Sequence, residues 1–185
     1  MLSLARERLA PAIDRVSLAL AVVAMAQIVV LVATMLYEVV ARYGFDRPTL
    51  WSGDIVYMMN GTLFLLGAAW TLRRNQHVRI DFLSSRLPLR AQHAVNLAFY
   101  LLLFLPVLAL VGYATAFKAW VAYRDGELEQ MSAWEPKIWP FYAGLAVGLV
   151  ALALQVIAEA LRHAVGIAEP AAVPPPSAAD DTHAV

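Results

Sequence analysis

Few residues in this 185-residue chain have types and spacings suited to chemistry. Its histidines are His77, His93, His163 and His183. None falls deep in an apolar run, which argues against a haem held between helices by a histidine pair. The absence of cysteine excludes disulfides, thiol catalysis and thiolate-ligated metals. No G-x-x-x-x-G-K-[ST] phosphate loop and no H-E-x-x-H motif occurs, and the apolar stretches offer no serine, histidine and acid set. The deep polar residues reduce to Gln27, Asn60 and Gln155, with Glu38 and Glu159 nearer the ends of their runs. Secondary carriers usually keep ionisable groups or broken helices near the membrane midplane. This supply is thin and no internal repeat is visible, so the residues argue against an enzyme and against a self-sufficient carrier. No cofactor is expected in the chain.

The elements that must position these residues are four apolar runs, roughly Val16–Tyr37, Ile55–Leu72, Ala94–Phe117 and Ile138–Leu161. A hydrocarbon core about 30 Å thick needs about 20 helical residues at about 1.5 Å each. Hydrophobic residues make up 61% of the chain and charged residues 15%, below the ~25% charge of an ordinary soluble domain. The surplus lies in blocks rather than at core periodicity, which favours membrane spans over buried soluble helices. The first run exceeds the ~7–15 apolar residues of a cleavable signal and lacks a good small-residue cleavage site, so it reads as a permanent signal anchor. The fold class is an all-α membrane protein with four transmembrane helices. Lipids are the expected surroundings, and nucleic acid is not an expected partner.

Lys and Arg counts set the expected orientation. The loop between the second and third runs holds Arg73, Arg74, Arg79, Arg86 and Arg90 against Asp81, and the N-terminal tail adds Arg6, Arg8 and Arg15. Both are expected in the cytoplasm, which gives an N-in/C-in topology. Residues 1–15 form a basic cytoplasmic segment. Residues 16–165 form the transmembrane domain, with spans at about 16–41, 53–72, 94–117 and 138–161. Residues 166–185, rich in Pro and Ala, are expected to form a disordered cytoplasmic tail. Ile80, Leu83 and Leu87 recur at helical spacing and predict a short amphipathic segment on the inner leaflet, with Arg73, Arg74, Arg86 and Arg90 near lipid headgroups.

Local patterns mark the far ends of the spans. Glu38 and Arg42 sit one turn apart in the favourable order and read either as an ion pair locking the helix end or as a docking point. Trp51 suits the interface, Ser52 is a candidate cap for the second helix, and Asp54 lies in its first turn. Asn60 needs a bond to a partner helix or to its own backbone. Pro106 predicts a kink in the third helix. Gly112 with Ala116 and Gly144-x-x-x-Gly148 permit close helix contact. Trp134, Pro136, Trp139 and Pro140 predict a rigid aromatic lead into the fourth helix.

Several of these stretches together resemble a known family. Arg42 through Trp51 and Asp54, then Gly67-Ala68-Ala69, His77-Val78-Arg79-Ile80-Asp81, and the Ser132-Ala133-Trp134-Glu135-Pro136 and Trp139-Pro140 stretch look like the small membrane subunit of tripartite ATP-independent periplasmic (TRAP) transporters, the DctQ type. The resemblance covers about residues 15–165. It departs in one place: the family often has two adjacent acids after the tryptophan, and Ser52-Gly53-Asp54 leaves one.

The resemblance implies a non-catalytic scaffold in the bacterial inner membrane. Its partners would be a large DctM-type permease, which would hold the sodium and substrate sites, and a DctP-type periplasmic binding protein delivering an organic acid. Glu38, Arg42, Trp51, Asp54, Asn60, His77, Arg79 and Asp81 become interface or family-motif residues. Trp134, Glu135, Lys137 and Trp139 become candidates for docking the binding protein. The alternative from the residues alone is a small homo-oligomeric exporter using Glu38 as a proton-coupled site. The end-of-helix position of Glu38 and its neighbour Arg42 argue against it.

Overall fold

A computed structural model of the chain describes residues 2–74 and 88–168, with side chains from residue 11 onward except at residues 89 and 168. Helix α1 (Leu2–Val39) opens into a π-helical turn at Val40–Gly44. It is followed by α2 (Ser52–Arg73), α3 (Leu89–Phe99), a second π-helical turn at Tyr100–Phe104, α4 (Leu105–Asp125) and α5 (Trp139–Ala168). Four stretches are long and apolar enough to cross a membrane: Pro11–Gly44, Ser52–Arg73, Arg90–Asp125 and Trp139–Ile167. The third combines α3, its π turn and α4. Among the described residues the architecture is all helical, apart from one antiparallel bridge between Leu128 and Lys137.

The helices run up and down. The basal end of the bundle holds the starts of α1 and α3 and the ends of α2 and α5. The distal end holds the loops after α1 and α4. Helix α5 is the hub and packs against α1, α2, α3 and α4. Its central residues Leu152, Val156 and Ala160 join Leu72 and Tyr100 in the apolar core. Long rows of α1 and α4, such as Val29, Leu36, Leu110 and Tyr113, stay exposed, as lipid-facing helix surfaces must.

Lipid tails are as apolar as leucine, so burial alone does not hold such helices together, and close packing must contribute. Glycines of α5 provide it against α2. A Cβ at Gly144 would collide with Thr62, and one at Gly148 would lie 2.7 Å from the Leu65 Cβ and 2.9 Å from its carbonyl carbon. The Gly144-x-x-x-Gly148 pattern is therefore a contact surface. Gly112 of α4 is different, since a Cβ there would meet Leu149 at an ordinary 3.8 Å.

Helix ends differ from the sequence-based spans. Helix α2 begins at Ser52, but the residue flanking it is Trp51, and no side chain caps it. The third helical path starts at Leu89, after an extended Pro88 (ψ 147°), where the proline's fixed φ and missing N–H interrupt no helical hydrogen bond. The fourth continues to Ala168, into the region expected to be tail. Pro106 acts through the π turn that precedes it. Its ring would press on the Leu102 carbonyl, and widening the helix over Tyr100–Phe104 relieves that contact. Gly126 ends α4 in the left-handed conformation (φ 68°) that glycine adopts without penalty.

Because the obstacle at Gly148 is partly backbone, Gly148→Ala is expected to destabilise the detergent-solubilised chain by about 1–3 kcal/mol, the usual cost of overpacking. Gly112→Ala should change little. Comparable melting temperatures for the two variants would contradict this packing.

Candidate functional site

Polar side chains cluster at three depths. The basal cluster is the largest and joins three helices. Asp14 of α1 accepts from Arg162 Nη2 of α5 at 2.7 Å and pairs with Arg73 Nε of α2 at 3.1 Å. Arg162 also pairs with Glu159. Gln155, wholly buried, accepts from Ser17 Oγ at 2.8 Å and donates to Asp14 at 3.2 Å and Glu159 at 3.3 Å. Asp14, Ser17 and Glu159 are buried as well. Two buried carboxylates are thus neutralised by two partly exposed guanidiniums, as carboxylates in a low-dielectric site must be.

Beside this network lies a histidine pair. His93 of α3 and His163 of α5 bring their Nδ1 atoms to 2.9 Å, one donating and the other accepting. The His163 ring also stacks on Tyr100 at 5.6 Å between centroids. The site forces glycine at 166, where a Cβ would sit 2.9 Å from the His93 ring. The Nε2 of His93 is buried with no partner among the described residues. No group of three or more potential metal ligands occurs among the described residues.

At middle depth, Gln27 Nε2 of α1 donates to Thr62 Oγ1 of α2 at 3.2 Å, and the Thr62 hydroxyl returns its proton to backbone carbonyls of its own helix. Asn60 instead faces outward.

The distal cluster ties the distal loops to the helices. Glu38 is buried and engages both carboxylate oxygens. Oε1 accepts from Arg42 Nη2 at 2.6 Å and Nε at 2.9 Å; Oε2 accepts from the Thr49 backbone N–H at 3.0 Å and from the Thr49 hydroxyl. Of the two readings of Glu38 and Arg42, this arrangement matches the lock, and the lock includes Thr49 of the following loop. Trp51 stacks on Tyr37 at 5.7 Å. Asp54 accepts from the Ser132 hydroxyl, joining α2 to the last distal loop, and Ser132 Oγ accepts from Trp134 N–H at 3.0 Å.

That last loop is a small hairpin held by Glu129 N–H to Pro136 O at 2.9 Å and by the Lys118–Glu127 ion pair at 2.6 Å. Its tip exposes Met131 and Trp134, Glu135 takes a positive φ of 48°, and Lys137 is exposed. Trp139 packs edge-on against Tyr123 at 5.4 Å. The rigid aromatic lead is therefore made by Trp139, while Trp134 points away from the bundle.

The structure unites Glu38 with Arg42, and Asp54 with Ser132. Arg73, expected at lipid headgroups, pairs its guanidinium with Asp14 at 3.1 Å and packs it over the Trp70 ring at 4.8 Å, with a third of its side chain still exposed. Arg74 also covers Trp70, and Arg90 is exposed. His77, Arg79, Asp81 and Arg86, the amphipathic segment and the tail from residue 169 lie outside the described residues. Sequence reasoning missed Asp14, Ser17 and the His93–His163 pair. A signal existed on α5, where Gln155, Glu159 and His163 recur every fourth residue and so share one face.

Asp14→Ala is expected to cost about 3 kcal/mol, since it removes the shared partner of Arg162 and Arg73 and leaves Glu159 as the one carboxylate for two guanidiniums; Arg73, a third exposed, contributes less. Arg42→Ala should cost less, because the Arg42 side chain is 52% exposed. Thermal melting of both variants in one detergent checks this order. An Asp14→Ala chain as stable as the parent would refute the basal network's role.

Comparison with known proteins adds three findings. The family described as "Tripartite ATP-independent periplasmic transporters, DctQ component" matches residues 31–166, a stretch that holds the distal lock and the histidine pair but not Asp14. Over 88 residues the chain is 27% identical to the sialic acid TRAP transporter small permease protein SiaQ of Vibrio cholerae, covering 46% of this chain and 51% of that protein. The chain thus spans about half the length of the curated relative it matches. No solved structure matches it.

Proposed function

Since the chain belongs to the DctQ component family of TRAP transporters, we propose that this multi-pass membrane protein is a small permease subunit that braces a large DctM-type permease. The observation that carries this reading is a set of polar links at three depths, which join α1, α2 and α5 at the base, α1 and α2 in the middle, and α2 and the loop before α5 at the distal end. Asp14, Arg73 and Arg162 act at the base, Gln27 and Thr62 in the middle, and Asp54 with Ser132 at the distal end. Helices linked at both ends and at the centre move as one body, as a fixed brace requires. The polar groups of the bundle are largely engaged in these links rather than lining a path.

In this reading the large permease carries sodium and substrate, and the chain itself performs no catalysis and holds no cofactor. The similarity to SiaQ supports an organic acid as the transported class. The subunit lies in the bacterial inner membrane with its basal, arginine-rich end in the cytoplasm, following the positive-inside rule. The distal hairpin then faces the periplasm. Its exposed Met131 and Trp134, beside Glu135 and Lys137, offer a surface to a DctP-type binding protein.

The exporter reading is not favoured. Both Glu38 oxygens are engaged by Arg42 and Thr49, and this network would have to break for each proton carried.

Two measurements check the proposal. Deleting the chain from the complete transporter should abolish binding-protein-dependent uptake, and the chain should co-purify with the large permease. Undiminished uptake without it would defeat the scaffold role. Replacing Met131 and Trp134 by serine, with Ser132 kept on Asp54, should lower uptake at limiting binding protein while leaving co-purification intact. Unchanged uptake would exclude docking at the hairpin.

A further inference from the structure

One face of α2 is left largely open by its own bundle. Gly53, Tyr57, Asn60, Phe64 and Gly67 follow one another at steps of four, three, four and three residues, the spacing of a helix–helix seam. Phe64 is 78% exposed, Asn60 is exposed, and Tyr57, whose ring also tilts against Phe141 of α5 at 5.2 Å between centroids, is still 62% exposed. A Cβ added at Gly53 or Gly67 meets nothing within 4 Å. Those two glycines therefore serve no contact inside this chain, unlike Gly61, Gly144, Gly148 and Gly166.

Asn60 makes this face distinctive. It lies eight residues after Ser52, roughly 12 Å along the helix axis. At that depth hydrocarbon offers an amide no hydrogen bond, and its side chain makes none to another described residue. Gln27, at similar depth on α1, is instead turned inward onto Thr62.

We infer that the Gly53–Tyr57–Asn60–Phe64–Gly67 face of α2 seats a transmembrane helix of the large permease, with Asn60 hydrogen-bonded across the seam and the two glycines receiving bulky partner side chains. This rests on the small-subunit reading above and names where on the chain the partner sits. A second copy of the chain fits less well. Parallel self-pairing sets each seam residue near its own copy, so Phe64 would crowd Phe64 while glycine faced glycine across a gap. Lipid alone leaves the amide without a partner.

The test uses the complete transporter in membranes, purified through a tag on the large permease. A photoreactive p-benzoylphenylalanine is placed at position 57 or 64, or at 113, where Tyr113 of α4 is 73% exposed. Positions 57 and 64 should cross-link to the permease and position 113 should not. Cross-links only to lipid or to a second copy, or an equal yield from 113, would overturn the inference. In parallel, Asn60→Leu should lower co-purification about threefold to thirtyfold, the range set by one interhelical hydrogen bond in a membrane. The melting temperature of the isolated chain should stay unchanged, since Asn60 supports no contact within it. A complex that purifies intact but gives no seam cross-link sinks this inference alone, whereas failure of the parent chain to co-purify sinks the small-subunit reading with it.

Discussion

A carboxylate buried in a membrane bundle must be neutralised where it stands, and Asp14 sets that requirement for this fold. Its partners come from the far ends of two other helices, Arg73 of α2 and Arg162 of α5. Satisfying both fixes the register of three helices at once. Gln155 and Ser17 complete the arrangement, and Glu159 balances the second guanidinium charge. Such a network contributes specificity more than net stability, because the same volume filled by apolar side chains would hold no particular register. That register in turn aligns Gly144 and Gly148 with Thr62 and Leu65, and places His163 against His93.

The distal end uses smaller interactions for a related purpose. Glu38 holds the later part of the first loop through Thr49, and Asp54 holds the last loop through Ser132. Stacking of Tyr37 on Trp51 fills the space between. The hairpin tip is thereby presented on a supported base, with Met131 and Trp134 outward. Polar bonds at both ends and at Gln27–Thr62 leave the outer faces of α1, α2 and α4 free to meet lipid or another protein.

Much of this was legible along the chain, and the reasons are physical. The four spans follow from the length of apolar runs against bilayer thickness, which involves no long-range information. The Glu38–Arg42 pair is four residues apart on one helix, so local geometry suffices to place it. The close contact at Gly144-x-x-x-Gly148 was suggested by composition, but its partner surface on α2 was not. Ser52 looked like a cap, yet the chain enters α2 already helical at Trp51 (φ −102°, ψ −22°), leaving the hydroxyl no capping geometry. Asp14 sat among basic residues of an apparent interfacial segment, where nothing local marks it as buried.

The sequence by itself determined the solvent, the number of crossings, the helix-perturbing role of Pro106 and the polar end groups of the spans. All of these depend on side-chain type and on spacings within one helix. Only the tertiary structure decided which polar groups meet. Asp14 and Arg162 lie at opposite ends of the chain, as do Ser17 and Gln155, and His93 and His163 belong to different helices. Tertiary packing also separated the inward amide of Gln27 from the outward amide of Asn60. The face a residue presents depends on which neighbours its helix has, and that is settled when the helices pack.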